Sequence, residues 1–156
     1  HPDVFVYETR EVHFFDAHFE RGLPWYESHF RDWRGEIAVG EKSPQYMSHP
    51  EAIARIRRTL GPDVRLVATL RHPVDRAYSD YWHSMRGGHI PPDRDFRTAL
   101  REDAHLVERG LYGKQLQRCR EHFPPENFLI LIYEELEHDA AGALALRGQP
   151  LDDGEQ

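Results

Sequence analysis

The chain has a single cysteine, Cys119, so no intrachain disulfide can form. Cys119 lies in a helical pattern and is expected simply to pack as a small apolar residue. No apolar run approaches the roughly 18 residues of a membrane-spanning helix. No signal peptide is evident either, and the opening HPDVFV has no Met, unlike a natural N-terminus. There is no HExxH and no Cys–His set. The pairs His13/His18 and His83/His89 have no standard metal spacing, so eleven histidines do not predict a metal. Basic charge is in deficit, 20 Lys and Arg against 27 Asp and Glu, for a formal net charge of −7. This argues against general nucleic-acid binding while leaving room for a local basic pocket. Internal repeats are absent.

What remains is a chain of 156 residues with 39% hydrophobic and 12% aromatic residues, the composition of one globular domain with a real core. Residues 64–70 form a near-continuous apolar run that predicts a buried strand, ending at Arg71. His72-Pro73 then opens a helix, with Pro73 at its first position and Asp75 in its first turn. Val74, Ala77, Tyr78, Tyr81 and Trp82 recur at helical spacing as one apolar face. A cation therefore stands where a strand stops and a helix starts, the edge at which α/β sheets bind anions. A lone Arg capping a surface loop is the plainer alternative.

Elsewhere, residues 4–7 are a short apolar segment, 22–30 a short helix with Pro24 near its start, and 36–40 a strand. Residues 41–47 read as a loop, and Ser48 as the cap of a helix over 50–60 stopped by Gly61-Pro62. Residues 86–95, RGGHIPPDRD, form the clearest loop, either a substrate lid or a plain connector. Helices are expected over 96–103, 112–123 and 134–146, and 128–133 (FLILIY) is the best buried strand. Strands alternating with helices predict α/β architecture, a parallel sheet covered on both faces.

Three constellations have residue types suited to chemistry. In the first, Glu11 and His13 fall on one face of an extended segment framed by Phe14 and Phe15, a setting suited to a general base. An exposed Arg10–Glu11 ion pair is the alternative. In the second, Gly40 to Pro44 places Lys42 as a point charge and Ser43 as a hydroxyl donor at a strand end, without the glycines of a phosphate loop. In the third, Arg71 and Ser79 are eight residues apart and both reach one phosphate if the helix folds back over the strand end.

Taken together, EVHFFD (11–16), GLPWYESHF (22–30), GEKSPQYM (40–47), LRHPVDRAYSDYWH (70–83), GLYGKQLQRCREHFP (110–124) and FLILIYEEL (128–136) resemble the carbohydrate-type sulfotransferases. These enzymes use 3′-phosphoadenosine 5′-phosphosulfate (PAPS), and the likeness is strongest to heparan-sulfate sulfotransferase-like domains and their bacterial relatives. The resemblance implies a P-loop-like PAPS-sulfotransferase fold, with a parallel sheet flanked by helices. It implies Glu11 as catalytic base, with His13 and Asp16 as acceptor-side partners. Lys42 would sit near the transferred sulfuryl group, and Arg71 and Ser79 would hold the donor's 3′-phosphate. The acceptor would be a carbohydrate or another small hydroxyl or amine, with no metal, no nucleic acid and no membrane segment.

The resemblance also implies one domain, 1–156, incomplete at both ends. The family's 5′-phosphosulfate loop would precede His1, and Arg147-Gly148 is a poor match to its C-terminal 3′-phosphate loop. A fragment of this kind is expected to self-associate and to be inactive with PAPS until the upstream strand, loop and helix are restored. A noncatalytic nucleotide- or glycan-binding module stands as the alternative function. The compartment implied is cytoplasmic for a bacterial source and the Golgi lumen for a eukaryotic one.

Overall fold

The computed structural model describes residues 2–7 and 10–146, the side chains of 143–146 excepted. The chain divides into two compact units, residues 1–61 and 62–156. Both are built on parallel strands, as an α/β fold requires, and among the described residues these strands form two pairs.

In the first unit, β1 (Val4–Val6) runs parallel to β2 (Ala38–Gly40), with Val4 opposite Ala38 and Val6 opposite Gly40. Between them the chain makes a turn at 14–17 and then helix α1 (Leu23–Glu27), with Pro24 in its first turn. Phe14 and Phe15, each 1% exposed, are the centre of this unit. Their rings meet edge to face, Phe14 stacks on the buried Tyr26 of α1, and Phe15 meets Tyr46 edge-on. Helix α2 (Ala52–Leu60) buries Ala52, Ile53 and Ile56 and stops at Gly61, whose φ of 91° favours glycine.

Helix α2 is not capped by Ser48. The Ser48 hydroxyl donates to the Gln45 carbonyl (3.0 Å) inside the preceding turn, and Glu51 takes the cap position without a side-chain bond. The turn consumes the hydroxyl, and the helix starts at Ala52 rather than at residue 50. From α2, Arg55 donates to the Phe15 carbonyl (2.9 Å), pairs with Glu51 and lies over the Phe19 ring. One guanidinium thereby ties the 14–19 turn to the helix.

In the second unit, β3 (Leu66–Leu70) and β4 (Phe128–Ile132) pair in parallel, Leu66 opposite Phe128 and Leu70 opposite Ile132. The buried Asn127 sets this register by donating to the carbonyls of Pro62 (2.7 Å) and Val64 (2.8 Å). Exposure along β3 alternates, and Val67 is 64% exposed, against the expectation of a strand covered on both faces. A two-stranded ribbon shields one face more completely than the other, whatever its apolar content.

Helix α3 (Pro73–Arg86) starts where predicted, but only Ala77 and Tyr81 of its apolar stripe are buried, whereas Val74, Tyr78 and Trp82 are exposed. Tyr81 packs in a cluster with Ile90, Ala99 and Leu106. The 87–95 loop is thus pinned by Ile90, and again by Tyr81, which donates to the Arg94 carbonyl (2.7 Å). These anchors make it a connector rather than a lid.

The helix expected over 96–103 is α4 (Phe96–Glu102), and an unforeseen α5 (Ala104–Glu108) follows at once. Asp103 leaves helical geometry with ψ of 96° and its carboxylate caps the His105 N–H, which ends one helix and starts the next. Helix α6 (Tyr112–Arg120) ends three residues before Phe123, and Cys119 and Phe123 are buried as expected. The last helix, α7 (Tyr133–Leu146), takes in Tyr133 and breaks at Asp139, whose carboxylate accepts from the Gly142 N–H. Among the described residues no helix is long and apolar enough to cross a membrane.

Candidate functional site

Residues 11–16 are not extended. His13 has a φ of +51°, the left-handed region, which costs a non-glycine residue roughly 1–3 kcal/mol and persists only where the surroundings impose it. The bonds that impose it come from residues 41–46. The His13 N–H donates to Ser43 Oγ (3.0 Å), and the Phe14 and Phe15 N–H groups donate to the Tyr46 oxygen (3.0 and 3.4 Å).

The turn nevertheless brings together the acid–base residues that the extended reading had paired. His13 Nε2 lies 3.2 Å from Glu11 Oε2, and His13 Nδ1 lies 2.8 Å from Asp16 Oδ2. The Asp16 carboxylate is nearly buried, at 4% exposure, and the Glu11 carboxylate is 43% exposed. Glu11 pairs with His13, and this pair replaces the surface Arg10–Glu11 pair weighed as its alternative. Burial alone lowers the His13 pKa. The hydrogen bonds and charges of Asp16 and Glu11 outweigh it, so the imidazole titrates above its usual range. Both ring nitrogens face carboxylates, an arrangement that suits an imidazolium donating in two directions.

The sign of the pH dependence follows. A histidine with a raised folded pKa stabilises fully below its unfolded pKa, near 6.5, and that stabilisation is lost as pH rises through the folded value. His13→Gln is therefore expected to be more destabilising at pH 6 than at pH 9. Urea unfolding of both proteins at the two pH values measures it, and an equal loss at both would mean that the imidazole is not charged by its neighbours.

Glu11 and Lys42 line one cleft of about 600 Å³ with Val6, Tyr7 and Arg10. The Lys42 side chain is exposed at the end of β2, where the sequence placed a point charge. Ser43 is not the free donor expected: its hydroxyl proton goes to Glu41 Oε2 (2.9 Å). Glu41 and Tyr46 were not singled out from the sequence. Tyr46 donates to Glu41 Oε1 at 2.6 Å. Burial raises the Glu41 pKa, and the bonds from Tyr46 and Ser43 oppose the rise without cancelling it. Burial and the Glu41 bond also hold the Tyr46 phenol far above its normal range. The available signal was a Glu beside two hydroxyl residues in a turn that follows a strand.

In the second unit Arg71 and Ser79 line one cleft of about 510 Å³ together with Asp75, Tyr78, Trp82 and Arg86. Arg71 is held from several directions. Its carbonyl accepts from Tyr112 (3.0 Å), and its guanidinium lies 5.1 Å above the Tyr133 ring. The next residue, His72, donates its N–H to Glu134 (2.8 Å), a bond that lowers the Glu134 pKa and joins the starts of α3 and α7. The Arg71 Nε is buried without a hydrogen-bond partner. A guanidinium on a cleft that also holds a second Arg and a Ser suits an anionic oxygen. Tyr78, Trp82 and Arg86 belong to this cleft, and they were read as packing or loop residues. Asp75, read as a dipole partner, puts one negative charge on its rim.

A family model described as "Sulfotransferase family" matches residues 4–145. Heparan sulfate glucosamine 3-O-sulfotransferase 6 of Homo sapiens is 38% identical over 151 residues, 91% of this chain and 43% of that protein. Heparan sulfate glucosamine 3-O-sulfotransferase 3B1 of Mus musculus is 36% identical over 152 residues, 92% of this chain and 38% of that protein. The chain thus spans about two-fifths of the length of these relatives. A sulfotransferase crystal structure from Alicyclobacillus acidocaldarius superposes with a TM-score of 0.79 and 28% identity, covering 90% of this chain and 67% of that one.

Proposed function

The chain belongs to the sulfotransferase family, and from that premise we propose that it transfers a sulfuryl group from PAPS to a carbohydrate hydroxyl or amine. The observation that carries this reading is the hydrogen-bonded Glu11–His13–Asp16 array, whose Glu11 lines the same cleft as Lys42. We take residues 1–156 as one sulfotransferase-like domain, since the family match runs from one compact unit into the other.

Sulfuryl transfer, like phosphoryl transfer, is an in-line displacement. The acceptor oxygen or nitrogen forms a bond to sulfur as the bond from sulfur to the leaving phosphate oxygen breaks. The acceptor proton goes to Glu11, whose Oε2 lies 3.2 Å from His13 Nε2. His13 and Asp16 orient that carboxylate, and Lys42 supplies positive charge at the reacting group. Arg71 and Ser79 hold the 3′-phosphate of the donor: a guanidinium and a hydroxyl lining one cleft both donate to such an anion. A carbohydrate acceptor follows from the relatives, whose names specify heparan sulfate glucosamine.

The test is radiolabelled sulfate transfer from PAPS, by the chain carrying the upstream strand, loop and helix that the family resemblance implies, to a panel of glucosamine-containing oligosaccharides and simple alcohols. Labelled oligosaccharide that depends on the chain and on PAPS is the expected outcome. Binding of PAPS without transfer to any member of the panel would sink the catalytic reading.

A further inference from the structure

Glu41 has two carboxylate oxygens and each receives one hydroxyl proton, from Ser43 at 2.9 Å and from Tyr46 at 2.6 Å. With their protons committed, the two hydroxyl oxygens are left as acceptors. Ser43 Oγ takes the His13 N–H, and the Tyr46 oxygen takes the N–H groups of Phe14 and Phe15. Three consecutive backbone donors are thus satisfied by two hydroxyls that one carboxylate polarises. The middle of this span is where His13 adopts φ of +51°.

We propose that Glu41 is a positioning residue for the catalytic base, holding the His13 imidazole between Glu11 and Asp16 through Ser43 and Tyr46. The inference rests on the reading of Glu11 and His13 as the base assembly.

Chemistry favours a carboxylate here over an amide or an alcohol. An ionised carboxylate is acceptor-only on both oxygens, so it fixes the direction of both hydroxyl protons at once. An amide would donate at one position, turn one hydroxyl round and set two donors against each other. Glu41 touches none of the atoms proposed to react. Its effect reaches Glu11 only through the backbone of 13–15 and the imidazole, so a shift of a few tenths of an ångström there changes the 3.2 Å contact to Glu11.

The groups bearing on the His13 charge are Glu11 and Asp16 within its own turn and Glu41 from the segment after β2. Arg55 of α2 binds the Phe15 carbonyl behind them. The His13 titration therefore reports the arrangement directly. A nitrogen-15-labelled chain is titrated by NMR as wild type and as Glu41→Gln, Ser43→Ala, Tyr46→Phe and Ser43→Thr. The first three are expected to titrate at lower pH than wild type, with loss of the Nε2 coupling to Glu11. Ser43→Thr, which keeps the hydroxyl, is expected to restore the wild-type curve. In the transfer assay, turnover of the first three falls about tenfold or more with the KM for PAPS unchanged.

A purely structural Glu41 would lower the melting temperature and leave the His13 titration of Ser43→Ala and Tyr46→Phe, which keep the Glu41 charge, where it was. Folded variants titrating like wild type would overturn the proposal. If Glu41→Gln does not fold, the two single-hydroxyl variants decide it. Absence of sulfuryl transfer in the wild-type chain carrying the restored upstream strand, loop and helix would instead defeat the functional reading, and the titration needs neither donor nor acceptor.

Discussion

Glu11→Gln is expected to lower turnover by about 10²-fold or more while binding of the donor stays nearly constant. Glutamine keeps the length and shape of the side chain and an oxygen for the His13 contact at 3.2 Å, so the turn and cleft should persist. What it removes is the capacity to take the acceptor proton. The loss should therefore fall on kcat, with the KM for PAPS little changed, because the substitution removes basicity and no group assigned to hold the donor. Steady-state kinetics with a fixed acceptor separates the two terms. Near-normal turnover would mean that another group accepts the proton. His13 would be the first suspect, although Asp16, still beside it in the variant, favours the protonated ring, which cannot accept a proton.

Removing Arg71 should weaken binding of adenosine 3′,5′-bisphosphate by about 1.5–3 kcal/mol, the range for hydrogen bonds to charged groups. The guanidinium is pre-organised: its backbone is held by Tyr112 and its plane rests on Tyr133, so little conformational freedom remains to be lost on binding. Arg71→Ala deletes a donor that is already desolvated and unpaired at Nε. Arg71→Lys is expected to recover only part of the affinity, since a lysine keeps the charge but neither the planar fork nor the stack on Tyr133. Titration calorimetry with the bisphosphate gives both values. Unchanged affinity in Arg71→Ala would remove the 3′-phosphate from this cleft.

The chain's local signals were strong wherever chemistry and periodicity coincided. The apolar run into Arg71 followed by His72-Pro73 determined a strand end and a helix start. The structure places them at β3 and α3, because a continuous apolar segment and a proline at the first helical position leave the backbone few alternatives. Gly61-Pro62 and the alternation of strands with helices were legible on the same ground. The motif residues Glu11, His13, Asp16, Lys42, Arg71 and Ser79 were also visible as residue types. The structure gathers the first three into one hydrogen-bonded array and sets the last two on one cleft.

Long-range contacts decided the rest. Nothing in EVHFFD announces a left-handed histidine. His13 adopts that conformation because Ser43 and Tyr46, 30 or more residues further on, supply acceptors for the N–H groups of 13–15. Whether the Ser43 proton would be free for a ligand or spent on Glu41 is likewise invisible in GEKSP, since it depends on burial of the Glu41 carboxylate. The helical stripe from Val74 to Trp82 has the periodicity of a packed face. Only Ala77 and Tyr81 became buried, while Tyr78, which meets the Phe96 ring edge-on, and Trp82 line the Arg71 cleft. Periodicity reports which residues share a face of an element, while the partner of that face is set by the rest of the chain. The sequence by itself therefore determined the elements and the reactive groups, and only tertiary structure decided how those groups are oriented and which of their protons are already committed.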